Sequence, residues 1–145
     1  MLFRSRYRVG YTQGVFDLLH DGHLNLFERC KEHCDYLIVG VCNDEYVRRN
    51  KNYNPVFNED TRCRLVASLK SVDEASVIPI EEVKDKMVAY DRCHFDVLFS
   101  GDDWKGTERY NKTESDFKGI GVDIVYLPYT KGISTSELKE RILKM

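Results

Sequence analysis

The fold class of this chain is first indicated by residues 14–23, Gly14-Val15-Phe16-Asp17-Leu18-Leu19-His20-Asp21-Gly22-His23. This stretch follows the apolar run Tyr7–Tyr11, and behind it apolar residues recur at the three- and four-residue steps of a helix. Those residues are Leu24, Phe27, Cys30 and Cys34. A short strand, a turn with glycine and a helix in direct succession are typical of an α/β protein.

Four further runs are short, apolar or β-branched and nearly continuous, as buried strands of a parallel sheet are. They are Tyr36–Val41, Ala75–Ile78, Val97–Ser100 and Asp123–Leu127. Between them we expect a helix capped by Asn58, one over Glu82–Tyr90 and one over Ser134–Leu143. Candidate caps of the last helix are Ser134, Thr135 and Ser136. The alternation predicts a single α/β domain over residues 1–145, with a parallel sheet covered by helices on both faces.

Composition excludes several classes of protein. The 22 basic and 24 acidic side chains give a net charge of −2, whereas nucleic-acid coats and anionic-membrane binders need concentrated positive charge. With 42% hydrophobic residues the chain can bury a core, yet no apolar run reaches the roughly 20 residues of a membrane span. Met1–Arg8 lacks the apolar segment of a signal peptide. Five irregularly spaced cysteines favour free thiols, and hence a cytoplasmic location.

In open parallel sheets, ligands bind beyond the carboxyl ends of the strands. Four segments are expected at that edge, and most of the side chains that could bind a ligand or take part in catalysis fall within them. These segments are Thr12–His23, Cys42–Asn58, Gly101–Tyr110 and Pro128–Ser136. The Cys30, His33 and Cys34 group lies elsewhere and lacks a fourth ligand, so we expect no metal held by the protein itself.

His20 and His23 lie three residues apart at the start of the first predicted helix, where Gly22 lets a ligand approach the backbone. The unpaired N–H groups and the positive dipole of a helix start suit a phosphate. Both imidazoles can donate hydrogen bonds to charge that develops on a phosphorus, without a covalent intermediate. The alternative is a pair of capping or surface histidines. The spacing favours phosphoryl chemistry.

At these residues the sequence resembles the nucleotidylyltransferase superfamily, whose signature is His-x-Gly-His. Arg62 lies ten residues before Val72-Asp73-Glu74, and this spacing resembles that of the cytidylyltransferases, which belong to this superfamily. Gly101-Asp102-Asp103-Trp104 and Gly132-Ile133-Ser134-Thr135-Ser136 resemble signatures of the glycerol-3-phosphate cytidylyltransferases. The segments stand in the family order and span most of the chain.

The resemblance implies a Rossmann-like three-layer sandwich that transfers CMP from CTP to glycerol 3-phosphate. The products would be pyrophosphate and CDP-glycerol, a building unit for a surface polymer or glycan. Mg²⁺ would enter with CTP, and a homodimer would form through the Val72-Asp73-Glu74 region. The same chemistry with choline phosphate, ethanolamine phosphate or another polyol phosphate, or with ATP as donor, stays open. A nucleotide-binding regulator without catalysis is a further alternative.

Carried over residue by residue, the resemblance assigns catalysis to His20, His23, Lys51 and Arg62. Lys51 would come from the polar loop Arg48–Asn58, and Arg62 would contact phosphate, although a salt bridge to Glu59 or Asp60 would also satisfy it. Nucleotide binding is assigned to Gly14, Val15, Phe16, Asp17, Gly22, Gly101, Asp102, Asp103, Trp104, Thr130, Ile133, Ser134, Thr135 and Ser136. No residue is assigned to a metal.

The chain departs from the family pattern at three places. Tyr129 stands where the family carries an arginine, whose charge Lys131 or Arg109 could supply. Val15 replaces a threonine of the first signature. The stretch between Gly101 and Tyr129 is longer, with a charged insert over residues 107–118. These departures bear on the base and the acceptor and leave the reaction type unchanged.

Overall fold

The computed structural model describes residues 7–145, so most of the Met1–Arg8 segment lies outside the described residues. The strands are β1 (Tyr7–Gly14), β2 (Cys34–Cys42), β3 (Glu74–Ile78), β4 (Val97–Gly101) and β5 (Asp123–Leu127). The helices are α1 (Asp21–His33), α2 (Asp44–Lys51), α3 (Glu59–Ala67), α4 (Ile80–Lys84), α5 (Lys86–Cys93), α6 (Glu108–Lys118) and α7 (Thr135–Leu143). A 3₁₀ turn, Asp102–Trp104, follows β4.

The strands form one parallel sheet in the order β3-β2-β1-β4-β5. The chain first builds outward from β1 to β3 and then returns to the other side of β1. This reversal places β1 between β2 and β4 and opens a crevice at the carboxyl ends of these strands, where ligands of such sheets bind.

The core lies on both faces of the sheet, because successive strand residues point to opposite sides. Leu37, Val39 and Val41 of β2 pack on one face with Phe27 of α1 and Val66 of α3. On the other face lies the group Tyr11, Ile38, Leu98, Ala89, Phe95, Tyr110 and Phe117, to which α5 and α6 contribute. Helices therefore cover both faces, and the predicted three-layer α/β fold is confirmed.

The observed strands β1, β2, β3 and β4 are longer than predicted, and two predicted helices end or break elsewhere. The helix expected over Glu82–Tyr90 is broken at Asp85, whose backbone is extended and whose side chain accepts a hydrogen bond from the Met87 N–H. The aspartate thus ends α4 and caps α5. Cys34, expected at the end of the first helix, begins β2 and pairs with Tyr7.

Two helices lie in segments that we expected to be loop or insert. α2 is capped by Asn43, whose side chain accepts from the Tyr46 N–H, and it ends at Lys51. Lys51 is therefore a helix residue rather than part of a loop from Arg48. The charged insert after Thr107 forms α6, which buries Tyr110 and Phe117 on its inner face. No helix among residues 7–145 is long and apolar enough to cross a membrane.

Candidate active site

A cavity of about 450 Å³ opens at the carboxyl ends of β1 and β4, a size typical of small-ligand sites. It gathers most of the side chains singled out in the sequence, from four segments far apart along the chain. Those at the cavity are Gly14, Val15, Phe16, Asp17, His20, Gly22, His23, Lys51, Gly101, Trp104, Thr130, Ile133, Ser134, Thr135 and Ser136. Arg62, Asp102 and Asp103 are not among its lining residues.

His20 and His23 form a stacked pair at the start of α1. Their ring centroids are 3.9 Å apart and the planes differ by 25°. His20 is the N-cap: its Nδ1 accepts from the Gly22 N–H at 3.0 Å, and His23 Nδ1 accepts from the His20 N–H at 3.2 Å. Each ring thus satisfies a backbone donor of the helix start, as a capping box does. The two histidines therefore cap the helix, as the alternative predicted, and both rings also line the cavity.

These hydrogen bonds determine the tautomer of both rings. Because each Nδ1 is an acceptor, each ring in its neutral form carries its hydrogen on Nε2. Burial lowers the pKa of His20, and burial together with the neighbouring His20 ring lowers the pKa of His23 to about 4. The pair therefore provides two neutral N–H donors at neutral pH, rather than two positive charges in contact.

Gly22 makes room for this arrangement. A Cβ on residue 22 would lie 2.7 Å from Cε1 and 3.0 Å from Nδ1 of His20. The His20 ring occupies that space and accepts from the same residue's N–H. The close approach of the His20 ring therefore requires a glycine at position 22, independently of the approach of a ligand to the backbone.

Asp17 was expected to bind the nucleotide, but its carboxylate is engaged within the protein. It is 2% exposed and accepts from the backbone N–H groups of Val56 at 2.7 Å and Phe57 at 3.0 Å. Lys139 Nζ lies 3.7 Å from it, and the Asp17 carbonyl accepts from Thr135 Oγ1 at 2.9 Å. Asp17 thus ties the turn after β1 to the loop before α3 and to α7.

Arg62 is likewise buried in the wall instead of facing a phosphate. It is 0% exposed, and four of its N–H donors are engaged. Nε donates to the Phe57 carbonyl, and Nη1 donates to the Val15 and Cys42 carbonyls. Nη2 pairs with Asp44 at 2.6 Å, not with Glu59 or Asp60. In this position the guanidinium holds three loops together and is not among the residues that line the cavity, so the expected phosphate contact stays a prediction.

The 3₁₀ turn places Asp102 and Asp103 outside the cavity lining. Asp103 faces the Tyr129 hydroxyl beside Gly101, where a Cβ would lie 2.5 Å from that hydroxyl oxygen. Burial and the Asp103 carboxylate raise the pKa of Tyr129, so the phenol stays protonated. Tyr129 lines the cavity at the position of the family's arginine, and this pair shapes that end of the site.

Among the described residues, three cationic side chains line the cavity: Lys51, Arg109 and Lys86. The sequence analysis named Lys51 and, as a substitute for the family's arginine, Arg109, but not Lys86. Lys86 is 3% exposed, donates to the Val83 carbonyl at 2.6 Å and lies over the Tyr110 ring. Burial and the charge of Arg109 lower the pKa of Lys86 to about 8. Arg109 itself lies over the Trp104 ring. A lysine three residues after Val83 and three before Ala89, both apolar, was the signal that could have identified Lys86.

The N-terminus of α7 forms the opposite wall. Ser134 is its cap and accepts from the Glu137 N–H at 3.1 Å, which confirms the first of the three candidate caps. Thr135 donates to Asp17, and Ser136 also lines the cavity. Hydroxyls, a helix start, two imidazole donors and three cations suit a ligand with several phosphates.

Among the described residues no group of three His, Cys, Asp or Glu side chains is arranged to hold a metal ion.

Comparison with known proteins gives consistent results. The model of the family described as cytidylyltransferase-like matches residues 11–141. The chain is 37% identical over 131 residues to the glycerol-3-phosphate cytidylyltransferase of Bacillus subtilis (strain 168), covering 90% of this chain and 94% of the relative. The enzyme of that name from Staphylococcus aureus (strain NCTC 8325 / PS 47) is 34% identical over 133 residues, 90% and 92% of the two chains.

A solved structure agrees with these relatives. The lipopolysaccharide core biosynthesis protein of Thermoplasma volcanium GSS1 superposes with a TM-score of 0.73 at 30% identity. The superposition covers 86% of this chain and 99% of that one. The fold of this chain is therefore shared with that protein.

We expect both histidine rings to be neutral Nε2–H tautomers in the free protein. Because its pKa lies near 4, His23 should not titrate around the ordinary value of about 6.5. Long-range nitrogen–carbon NMR correlations of labelled histidine report the tautomer and the midpoint. A protonated Nδ1 in either ring, or a His23 midpoint near the ordinary value, would contradict the geometry.

Replacing Gly22 with Ala should lower kcat/KM by about 10- to 100-fold, because the added methyl displaces the His20 ring from its stacked position. Unfolding free energy should change by less than about 1 kcal/mol, since alanine is favoured in a helix. Gly119→Ala is the matched control, because a Cβ there meets only one backbone oxygen at 3.5 Å. Equal activity of the two variants would show that the ring position is not constrained.

Arg62→Lys should lower the free energy of unfolding by about 2–4 kcal/mol, because a lysine cannot serve three carbonyls and Asp44 together. Denaturant unfolding measures this loss. Arg64→Lys, on the exposed side of the same helix, should leave stability unchanged. If Arg62→Lys kept full stability and lost only nucleotide affinity, Arg62 would be a phosphate ligand after all.

Proposed function

Because the chain belongs to the cytidylyltransferase-like family, we propose that it transfers CMP from CTP to glycerol 3-phosphate. The products are CDP-glycerol, an activated unit for a surface polymer or glycan, and pyrophosphate. The observation that carries this proposal is the stacked His20–His23 pair at the start of α1, with both Nδ1 atoms occupied by backbone donors.

The reaction needs no nucleophile from the protein. An oxygen of the acceptor's phosphate attacks the α-phosphorus of CTP in line, a new P–O bond forms, and the bond to the pyrophosphate oxygen breaks. The Nε2–H groups of His20 and His23 donate to the oxygens of that phosphorus as their charge grows. Neutral donors suit this role, since they need neither gain nor lose a proton during the transfer.

Other polar and charged groups of the cavity are assigned to individual phosphates of CTP. We assign the β- and γ-phosphates to the start of α7, with Ser134, Thr135 and Ser136. Lys51 neutralises the α-phosphate from the end of α2. CTP enters as its Mg²⁺ complex, so that the cation is carried by the triphosphate. The hydroxyls and cations that line the cavity are ligands for phosphate oxygens, which is consistent with a metal that arrives with the substrate.

Lys86 and Arg109 are assigned to the phosphate of the acceptor. Both lie on the wall formed by Trp104 and Tyr110, with each cation above one of the two rings. Among the described residues that line the cavity, the only carboxylate is that of Asp17, which is buried and engaged, while Asp103 lies beside Gly101 outside the lining. On the wall of Lys86 and Arg109, an acceptor with an ammonium group would meet two cations. The charges therefore support glycerol 3-phosphate over choline phosphate or ethanolamine phosphate.

Two features of the proposal rest on the sequence alone. A homodimer through the Val72-Asp73-Glu74 region stays a prediction, as does the cytoplasmic location. β3, which begins at Glu74, is an edge strand of the described sheet, whereas Val72 is 7% exposed. The identity of the donor base stays open because a neutral phenol, Tyr129, stands where the family carries a charged arginine. ATP is therefore tested beside CTP.

Pyrophosphate release tests the proposal directly. CTP and ATP, each with Mg²⁺, are crossed with glycerol 3-phosphate, choline phosphate and ethanolamine phosphate. We expect release with CTP and glycerol 3-phosphate, and a fall of about 100- to 1,000-fold in kcat for His20→Ala and for His23→Ala. Tyr7→Phe, at the far end of β1, is the control variant and should keep full activity.

The other outcomes discriminate among the alternatives. Release with a different pair would keep the mechanism and replace the substrate. CTP binding without release in the whole panel would contradict the proposal and favour the regulator. Substantial activity in both histidine variants would exclude the role given to the pair.

A further inference from the structure

A buried carboxylate lies at the outer end of a hydrogen-bond chain that leads to the cavity. Glu82 is 2% exposed and accepts from Arg92 in bidentate fashion. The distance from Nε to Oε1 is 2.7 Å, and that from Nη2 to Oε2 is 2.9 Å. This pairing compensates the charge of Glu82 and fixes the direction of its second oxygen. None of the reaction steps above uses it.

Tyr11 connects this carboxylate to the cavity wall. Its hydroxyl oxygen lies 3.1 Å from Glu82 Oε2 and 3.1 Å from Gln13 Oε1, so the one hydroxyl hydrogen is shared between two acceptor oxygens. Burial and the Glu82 charge raise the pKa of Tyr11, so the hydroxyl stays a donor. The ring stacks on Phe95 and is fully buried. Residue 40 must be glycine here, because a Cβ would lie 2.5 Å from the hydroxyl oxygen.

The chain ends at a carbonyl shared by two side chains. Gln13 Nε2 donates to the Val83 carbonyl at 3.0 Å, and Lys86 Nζ donates to the same oxygen at 2.6 Å. The Val83 carbonyl is available because the helix breaks at Asp85. The Met87 N–H, which a continuous helix would direct to Val83, donates to the Asp85 side chain instead.

We propose that Tyr11 and Gln13 are positioning residues that hold the Lys86 ammonium group, through the Val83 carbonyl, where the acceptor phosphate binds. The proposal rests on the proposed function, which assigns Lys86 to that phosphate. A lysine has a long flexible stem, and one that is already oriented loses less conformational freedom when the phosphate arrives. Arg109 faces Lys86 from α6, so the anchored ammonium also stays in place against a neighbouring positive charge.

Two conservative variants test this role. Tyr11→Phe removes the hydroxyl and keeps the ring on Phe95, and Gln13→Met removes the amide and keeps the length of the side chain. Tyr7→Phe is the matched control, since it removes another hydroxyl–carboxylate bond, to Asp123, at the opposite end of the same strand. Melting temperatures of all three identify any variant that loses stability generally.

Kinetics separate positioning from a structural contribution. We expect Tyr11→Phe and Gln13→Met to raise the KM for glycerol 3-phosphate about 3- to 10-fold, the effect of one lost hydrogen bond. The KM for CTP and kcat should stay within about twofold. A general loss of structure would change the two KM values together, and that result would overturn the proposal.

The ammonium group itself gives a readout that needs no turnover. In the free protein with isotope-labelled lysine, NMR detects the Lys86 ammonium hydrogens, assigned with Lys86→Arg, and we expect faster solvent exchange in both test variants. Unchanged exchange in both overturns the positioning role. Faster exchange with an unchanged KM for glycerol 3-phosphate supports the positioning and overturns the assignment of Lys86 to the acceptor, so the two proposals fail separately.

Discussion

The buried carboxylate of Asp17 is the interaction on which the cavity depends. The carboxylate accepts hydrogen bonds from two backbone N–H groups before α3, and Lys139 of α7 lies close to it. The backbone carbonyl of Asp17 accepts from the Thr135 hydroxyl of the same helix. The residues on either side, Phe16 and Leu18, adopt φ values of 53° and 50°, which non-glycine residues rarely adopt. Such backbone persists only where the surroundings hold it, and here the donors around the carboxylate do so.

Much of the fold could be predicted because its signals are local. β5 was predicted with its observed bounds, since short apolar runs between polar segments need no distant partner to be recognised. The histidine pair was predicted for the same reason: its spacing, its glycine and its helix lie within a few residues. The break at Asp85 could not be read from periodicity, because the apolar positions continue across it and only the side-chain cap interrupts the helix.

The errors in the site have a different origin. Arg62 was expected at a phosphate and is engaged within the protein, whereas Lys86 was given no role and lines the cavity, because burial is decided by elements far away in the chain. Arg62 meets carbonyls 47 and 20 residues distant, whereas Lys86 emerges at the cavity beside a ring of α6. A positive charge in a sequence carries no indication of whether carbonyls or a ligand will satisfy it. Only the assembled three-layer fold makes that distinction.

The position of β1 at the centre of the sheet sets the order in which the molecule can assemble during synthesis. β1, β2 and β3 can pair once residue 78 has left the ribosome, but β1 then presents an open edge until β4 arrives. The turn that carries the histidines is made early, while Thr135 and Lys139, which brace it, are made after all five strands. A nascent chain therefore contains the histidine pair well before α7 can brace its turn, whereas the open edge of β1 is already covered when β4 pairs with it.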